Sequence, residues 1–99
     1  MNLLMVTAKI KEENVADARA AVEKLIAALE REQPSGVRYA SGLLKDGVTL
    51  VAFLEMAPGQ EHPLQTFPAY QELLEGLGPW RAEPASADFI TVLGSHHLF

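Results

Sequence analysis

The sequence predicts one α+β domain of order β-α-β-β-α-β, and three observations predict it. Short apolar runs rich in branched residues stand near both ends, at 3–10 and 88–94. Two stretches of helical periodicity follow Asn14 and Thr66. Between them, two apolar runs meet at Asp46-Gly47, a dipeptide whose tolerance of positive φ suits a tight hairpin turn. The 99 residues, read as a single domain over 1–99, bury only about 60–70% of the surface of the unfolded chain, so the core is thin or shared with a partner.

The first strand, LLMVTAKI at 3–10, stops before Asn14. Val15, Ala18, Val22, Leu25, Ile26 and Leu29 then form an apolar stripe opposite Asp17, Arg19, Glu23, Lys24 and Glu30. Asn14 is placed to cap this helix, Asp17 favours its N-terminal dipole, and Pro34 and Gly36 end it. The hairpin VRYASGLLKDGVTLVAFLEM follows, with Gly42 marking a bulge or a close backbone approach. After the loop APGQEHP, the residues Leu64, Phe67, Tyr70, Leu74 and Leu77 keep helical spacing. Pro68 lacks an N–H and clashes with a preceding turn, so the helix starts near Thr66 or Phe67 with Pro68 in its first turn. Gly78-Pro79 closes it, and DFITVLG is the last strand.

This order fits a ferredoxin-like arrangement, a four-stranded antiparallel sheet with both helices on one face. Such a sheet should alternate apolar and polar residues, and these strands do not. Val48, Leu50, Ala52, Leu54 and Met56 oppose Thr49, Val51, Phe53 and Glu55; Leu4, Val6, Ala8 and Ile10 oppose Leu3, Met5, Thr7 and Lys9; Ile90 and Val92 oppose Phe89, Thr91 and Leu93. Both faces are therefore apolar, and the short tail SHHLF cannot cover one. A second copy packed on the helix-free face is the expected cover, with the tail extending onto it.

Composition removes several classes of function. The net charge of −5 and the scattered Lys and Arg argue against nucleic acid. No run approaches the roughly 20 apolar residues of a membrane span, and the start lacks the features of a signal peptide, so a cytoplasmic location is expected. Zero cysteines exclude disulfides and thiolate chemistry. His96 and His97 are neighbours on a segment read as extended, where side chains point to opposite sides, so no metal site is expected from them. There is no Walker-type loop, G-x-G-x-x-G, H-E-x-x-H or G-x-S-x-G.

The stretch HPLQTFPAYQELLEGLGPW, with His62, Thr66 and Tyr70 ahead of and within the second helix, resembles antibiotic-biosynthesis monooxygenase-type domains of the dimeric α/β-barrel superfamily. The resemblance extends through length and element order over nearly the whole chain. It implies a pocket in each subunit between sheet and helices, where a small aromatic, quinol-like or polyketide-like compound is oxidised by molecular oxygen with no cofactor. Haem-degrading relatives are a contrast: they use an asparagine on the first strand, a tryptophan opening the second helix and a histidine along it. Here Thr7, His62 and Glu72 stand near those places, which argues against haem degradation.

On that resemblance His62 is the candidate catalytic residue, a base or hydrogen-bond donor with an ordinary pKa of about 6.5. Tyr39, Phe67, Tyr70, Trp80 and Arg81 are the candidate substrate-binding residues. Each also has a plainer role: His62 satisfies free N–H groups at a helix entrance, Tyr70 and Tyr39 pack the core and sheet, Trp80 covers the end of the core, and Arg81 is a solvated charge. If the plainer roles hold, the chain is a non-catalytic dimeric ligand-binding or interaction module. An oxygen-independent isomerase of the same superfamily is a third reading.

Overall fold

The computed structural model describes residues 2–98; Met1 lies outside them, as does Phe99, the last residue of the tail expected to reach a partner. The elements are β1 (Asn2–Lys9), a 3-10 turn (Glu12–Asn14), α1 (Val15–Glu32), β2 (Tyr39–Leu43), β3 (Thr49–Glu55), α2 (Pro68–Trp80) and β4 (Ser86–Thr91). The strands lie in the order β2-β3-β1-β4, and every neighbouring pair is antiparallel. This is the ferredoxin-like sheet that the element order predicts.

Residues opposed across β1 and β3 sort the two faces. Leu4↔Leu54, Val6↔Ala52 and Ala8↔Leu50 point toward the helices, while Leu3↔Glu55, Met5↔Phe53 and Thr7↔Val51 point away. Under the helices the core divides in two along the strands. Ala8, Ile10, Ala18 and Leu50 gather with Val15, Val22, Leu43, Leu77 and Trp80 at one end; Leu54, Met56 and Leu64 gather with Leu4, Leu29, Val37, Tyr39, Phe67 and Tyr70 at the other. Lys24 and Glu72 join the two helices at 2.6 Å, an exposed pair worth at most about 1 kcal/mol.

Several local expectations change. Asn14 stands at the N-cap of α1, but its side-chain amide donates to Asp17 Oδ2 at 3.1 Å and caps no backbone N–H. The helix enters instead through the 3-10 turn, in which Asn14 N–H donates to Lys11 O at 2.8 Å. Its end is set by Gln33, a left-handed residue at φ 45° whose N–H donates to Leu29 O, so Pro34 only follows the stop. Gly42 is in unbroken register with Val51 and a Cβ there would meet nothing within 4 Å, so it marks neither a bulge nor a close approach inside the chain.

The hairpin is wider than a two-residue turn. Leu44 N–H reaches Thr49 O at 2.9 Å, and Asp46 works through its carboxylate, accepting from Val48 N–H, Thr49 N–H and the Thr49 hydroxyl. Those bonds, the one from Thr49 Oγ1 first, hold the Asp46 carboxyl below its usual range. Gly47, at φ 77°, supplies the left-handed residue.

α2 runs through Gly78-Pro79 to Trp80 rather than stopping there. Pro79 forfeits one N–H in the final turn, where Arg81 N–H still closes onto Leu77 O at 3.0 Å. β4 occupies 86–91 instead of 88–94. It is an edge strand paired with β1, and their register runs to Asn2↔Thr91, so among the described residues Val92 to Gly94 have no strand beside them. Leu93 is consequently 99% exposed.

Candidate functional site

Three of the residues singled out in the sequence meet in one place. Tyr39 from β2, Tyr70 from α2 and His62 from the segment before α2 line a cavity whose other walls are Leu4, Val6, Ala8, Leu50, Ala52, Leu54, Leu73, Leu74 and Leu77. The sequence brings them there by separate means. Tyr39 opposes Leu54 in the register and so faces the helices. Tyr70 falls on the inner stripe of a helix that Pro68 starts at its first position. His62 is carried by a segment of tight turns, Gln60 N–H to Ala57 O and Gln65 N–H to His62 O, which Leu64 anchors with 0% of its surface exposed.

His62 is held at both nitrogens. Leu64 N–H donates to Nδ1 at 3.2 Å, and Nε2 lies 3.2 Å from Tyr70 Oη. The two rings are tilted by 31° with centroids 4.9 Å apart. Burial lowers the His62 pKa from 6.5, so the neutral ring is favoured at neutral pH. Burial raises both phenols above 10, and Tyr39 adds to the effect on Tyr70. Both tyrosines are neutral hydroxyls at physiological pH.

Phe67, Trp80 and Arg81 do not line this cavity. Phe67 packs beside it, in the cluster that holds Tyr39 and Tyr70. Trp80 belongs to the opposite end of the core and lies over Gly76. Arg81 is exposed and bridges by its backbone to Ile10, about 20 Å along β1 from the Leu4 end at ~3.3 Å per residue.

Ser41 is the residue that sequence reasoning missed. It follows Tyr39 by two positions on β2 and faces the helices opposite Ala52. Its Oγ is buried and without a hydrogen bond among the described residues, although its dipole offsets part of the rise in the Tyr39 pKa. A serine at two-residue spacing from Tyr39 was the available signal.

The cavity is small, with a volume of about 40 Å³. That is room for about three waters and far below the roughly 300 Å³ at which small-molecule pockets begin. One side of it reaches the surface. Leu74, on its wall, is half exposed, and so is Phe89, which opposes the wall residue Leu4 across the β1–β4 pair. The α2 wall of the cavity therefore reaches solvent at Leu74, and Phe89 is a second half-exposed apolar side chain on the helix side of the sheet.

The helix-free face holds a wider concavity of about 700 Å³, lined by Leu3, Arg38, Phe53, Glu55 and Leu98 among others. Leu98 thus lies over the chain's own sheet but remains 77% exposed and does not close it. His96 and His97 do not point apart: their rings meet edge to face at 4.1 Å, because His97 leaves the extended region at φ 63°. Among the described residues no group of three His, Cys, Asp or Glu could hold a metal ion, and no helix is long and apolar enough to cross a membrane.

Against models of known families and against curated proteins the sequence finds no match. Solved structures do match over nearly the whole chain. A candidate antibiotic biosynthesis monooxygenase of Nitrosomonas europaea aligns at TM-score 0.76 and 16% identity, over 95% of this chain and all of that one. One from Caulobacter crescentus aligns at 0.72 and 18%, over 94% and 90%. The monooxygenase ActVA-Orf6 of Streptomyces coelicolor, in complex with nanaomycin D, aligns at 0.62 and 20%, over 96% and 89%. At these identities the likeness shows a shared fold, that of the antibiotic biosynthesis monooxygenase-type structures.

Proposed function

We propose that this chain is a monooxygenase that oxidises a small aromatic, quinol-like or polyketide-like compound with molecular oxygen, using neither metal nor flavin. The observation that carries the reading is the convergence of Tyr39, His62 and Tyr70 in an otherwise apolar cavity between α2 and the sheet. Apolar walls with few polar groups at one end suit a flat ring system bearing an oxygen. The shared fold with structures of monooxygenases supports the same reading. For an anthrone, one CH2 becomes C=O and the second oxygen atom leaves as water, so the substrate supplies all four electrons. The chain has only to bind the ring, hold its oxygen and exclude water.

Because a cavity of about 40 Å³ admits no ring as it stands, the proposal places entry at a seam between α2 and β4, where Leu74 and Phe89 are half exposed and would have to part. Phe67 packs behind the phenols; Trp80 and Arg81 would touch only a ligand long enough to follow β1 toward Ile10. The test is oxygen uptake by metal-stripped protein with a panel of anthrones, hydroquinones and naphthols, beside Tyr70→Phe. Uptake above background that falls in the variant supports the proposal. No uptake from folded protein refutes it and favours a non-catalytic binding module, a reading to which the small cavity itself lends weight.

The proposal includes a homodimer through the helix-free face, where Leu3, Met5, Val51, Phe53 and Ile90 lie together. Gly42 opens to that side opposite Val51, leaving bare backbone against which a second copy can pack. Solution mass tests it: twice the chain mass is expected, with Phe53→Asp shifting the protein to monomer. A wild type that stays monomeric at high concentration removes the dimer from the proposal.

A further inference from the structure

We infer that the cavity of Tyr39, His62 and Tyr70 donates hydrogen bonds but holds no general base, so that its ligands are acidic phenols and enols that arrive as oxyanions. His62 is then a positioning residue for the Tyr70 hydroxyl. The inference rests on the proposed location of the site and names its ligand class.

The geometry allows one proton arrangement. A neutral imidazole carries one N–H, and Nδ1 is the acceptor of the Leu64 N–H, so the proton is on Nε2. The contact of 3.2 Å between Nε2 and Tyr70 Oη therefore runs from ring to phenol. Tyr70's own proton is left free for the cavity that its ring lines. Proton uptake at Nδ1 would set two N–H groups against each other, and burial already opposes the charged ring. Of the two roles expected of His62 from the sequence, base or hydrogen-bond donor, the inference takes the donor.

The titratable groups facing His62 are Tyr70 from α2 and Tyr39 from β2, both neutral donors. Among the described residues no carboxylate, lysine or arginine lines the cavity. A neutral phenol finds nothing there to take its proton. An oxyanion finds the Tyr70 hydroxyl, and Tyr39 beside it, in a setting where charge-assisted bonds are roughly twice as strong as neutral ones.

Two measurements test this without turnover, so absence of oxygen uptake would sink the proposed reaction and leave the inference standing. In 15N-labelled wild type, NMR of the imidazole should show the proton on Nε2 and a bare Nδ1; a proton on Nδ1 overturns it. In binding titrations, 2-hydroxy-1,4-naphthoquinone, ionised at neutral pH, should bind at least about ten-fold tighter than neutral 1-naphthol. Tyr70→Phe should weaken the anion about 10- to 100-fold and 1-naphthol little, as expected for one hydrogen bond to a charged group. His62→Gln, which keeps a donor, should retain more affinity for the anion than His62→Ala. Equal binding of the two probes, or equal loss in the two His62 variants, overturns the inference.

Discussion

Leu64→Ala is the perturbation that probes the attachment of the site most directly. Leu64 has 0% of its surface exposed and packs with Leu54 and Met56, while the segment around it is otherwise turns. Truncation removes three carbons, about 2.4 kcal/mol at ~0.8 kcal/mol each. The residual cavity raises the loss to about 3–4 kcal/mol. For a domain of this size that lowers the thermal midpoint by about 12–30 °C. Leu25→Ala on α1 is the comparator, because Leu25 is also 0% exposed. Urea unfolding gives both losses. Hydrogen exchange at the Gln65 and Phe67 amides, which bond to His62 O and Leu64 O, shows whether the segment is freed first. A loss below about 1 kcal/mol for Leu64→Ala, beside a full loss for Leu25→Ala, would refute the claim that this side chain fixes His62.

Gly76→Ala should destabilise, against the ~1 kcal/mol that alanine normally gains over glycine in a helix, because the new Cβ would stand 2.5 Å from the Trp80 ring. Denaturant melts showing a gain of that size would mean the ring moves freely. Stability should fall as pH drops below about 6.5, since the unfolded chain protonates His62 before the folded one does, and the fall should level off below the lowered folded pKa. His62→Gln should flatten that part of the pH profile, and an unchanged profile would place the titration elsewhere. Asp46→Ala should lower the thermal midpoint near neutral pH, and the difference from wild type should shrink in acid as the carboxylate protonates through its depressed pKa. A constant difference across pH would show that charge is not what the hairpin uses.

Element order and face assignment were legible in the sequence because they follow from periodicity, which burial enforces over many residues. The three-residue slide of the end of β4 was not, since its end depends on its pairing with β1, a fact about another strand. The passage of α2 through Pro79 was hidden for a similar reason: the lost N–H falls in a last turn that Arg81 still closes onto Leu77. At the site, Tyr39 and Tyr70 were named because an aromatic on an apolar face is visible in the pattern. That the Tyr70 hydroxyl meets His62 with Tyr39 on the same cavity, and that Trp80 and Arg81 lie at the other end of the core, depends on the relative placement of α2, β1 and β2. Periodicity fixes which face a side chain takes, not how far along the strand it sits.

The placement of the polar cluster also bears on how so small a cavity can work. His62 and Tyr70 belong to one continuous stretch, joined by the His62–Tyr70 contact, by Leu64 N–H on Nδ1 and by Gln71 Nε2 on Gln65 O at 3.1 Å. Tyr39 stays with the sheet. If α2 parts from β4 along the Leu74–Phe89 seam, the bonds that orient the Tyr70 proton lie within the moving piece, and the distance to Tyr39 is what changes. Ligand entry should therefore leave the His62 ring signals of wild type nearly in place while the Tyr39 ring signals shift. Loss of the bare Nδ1 signal on binding 2-hydroxy-1,4-naphthoquinone would show that the ligand breaks the Leu64 contact, and that the cavity opens across the His62 segment instead of along the seam.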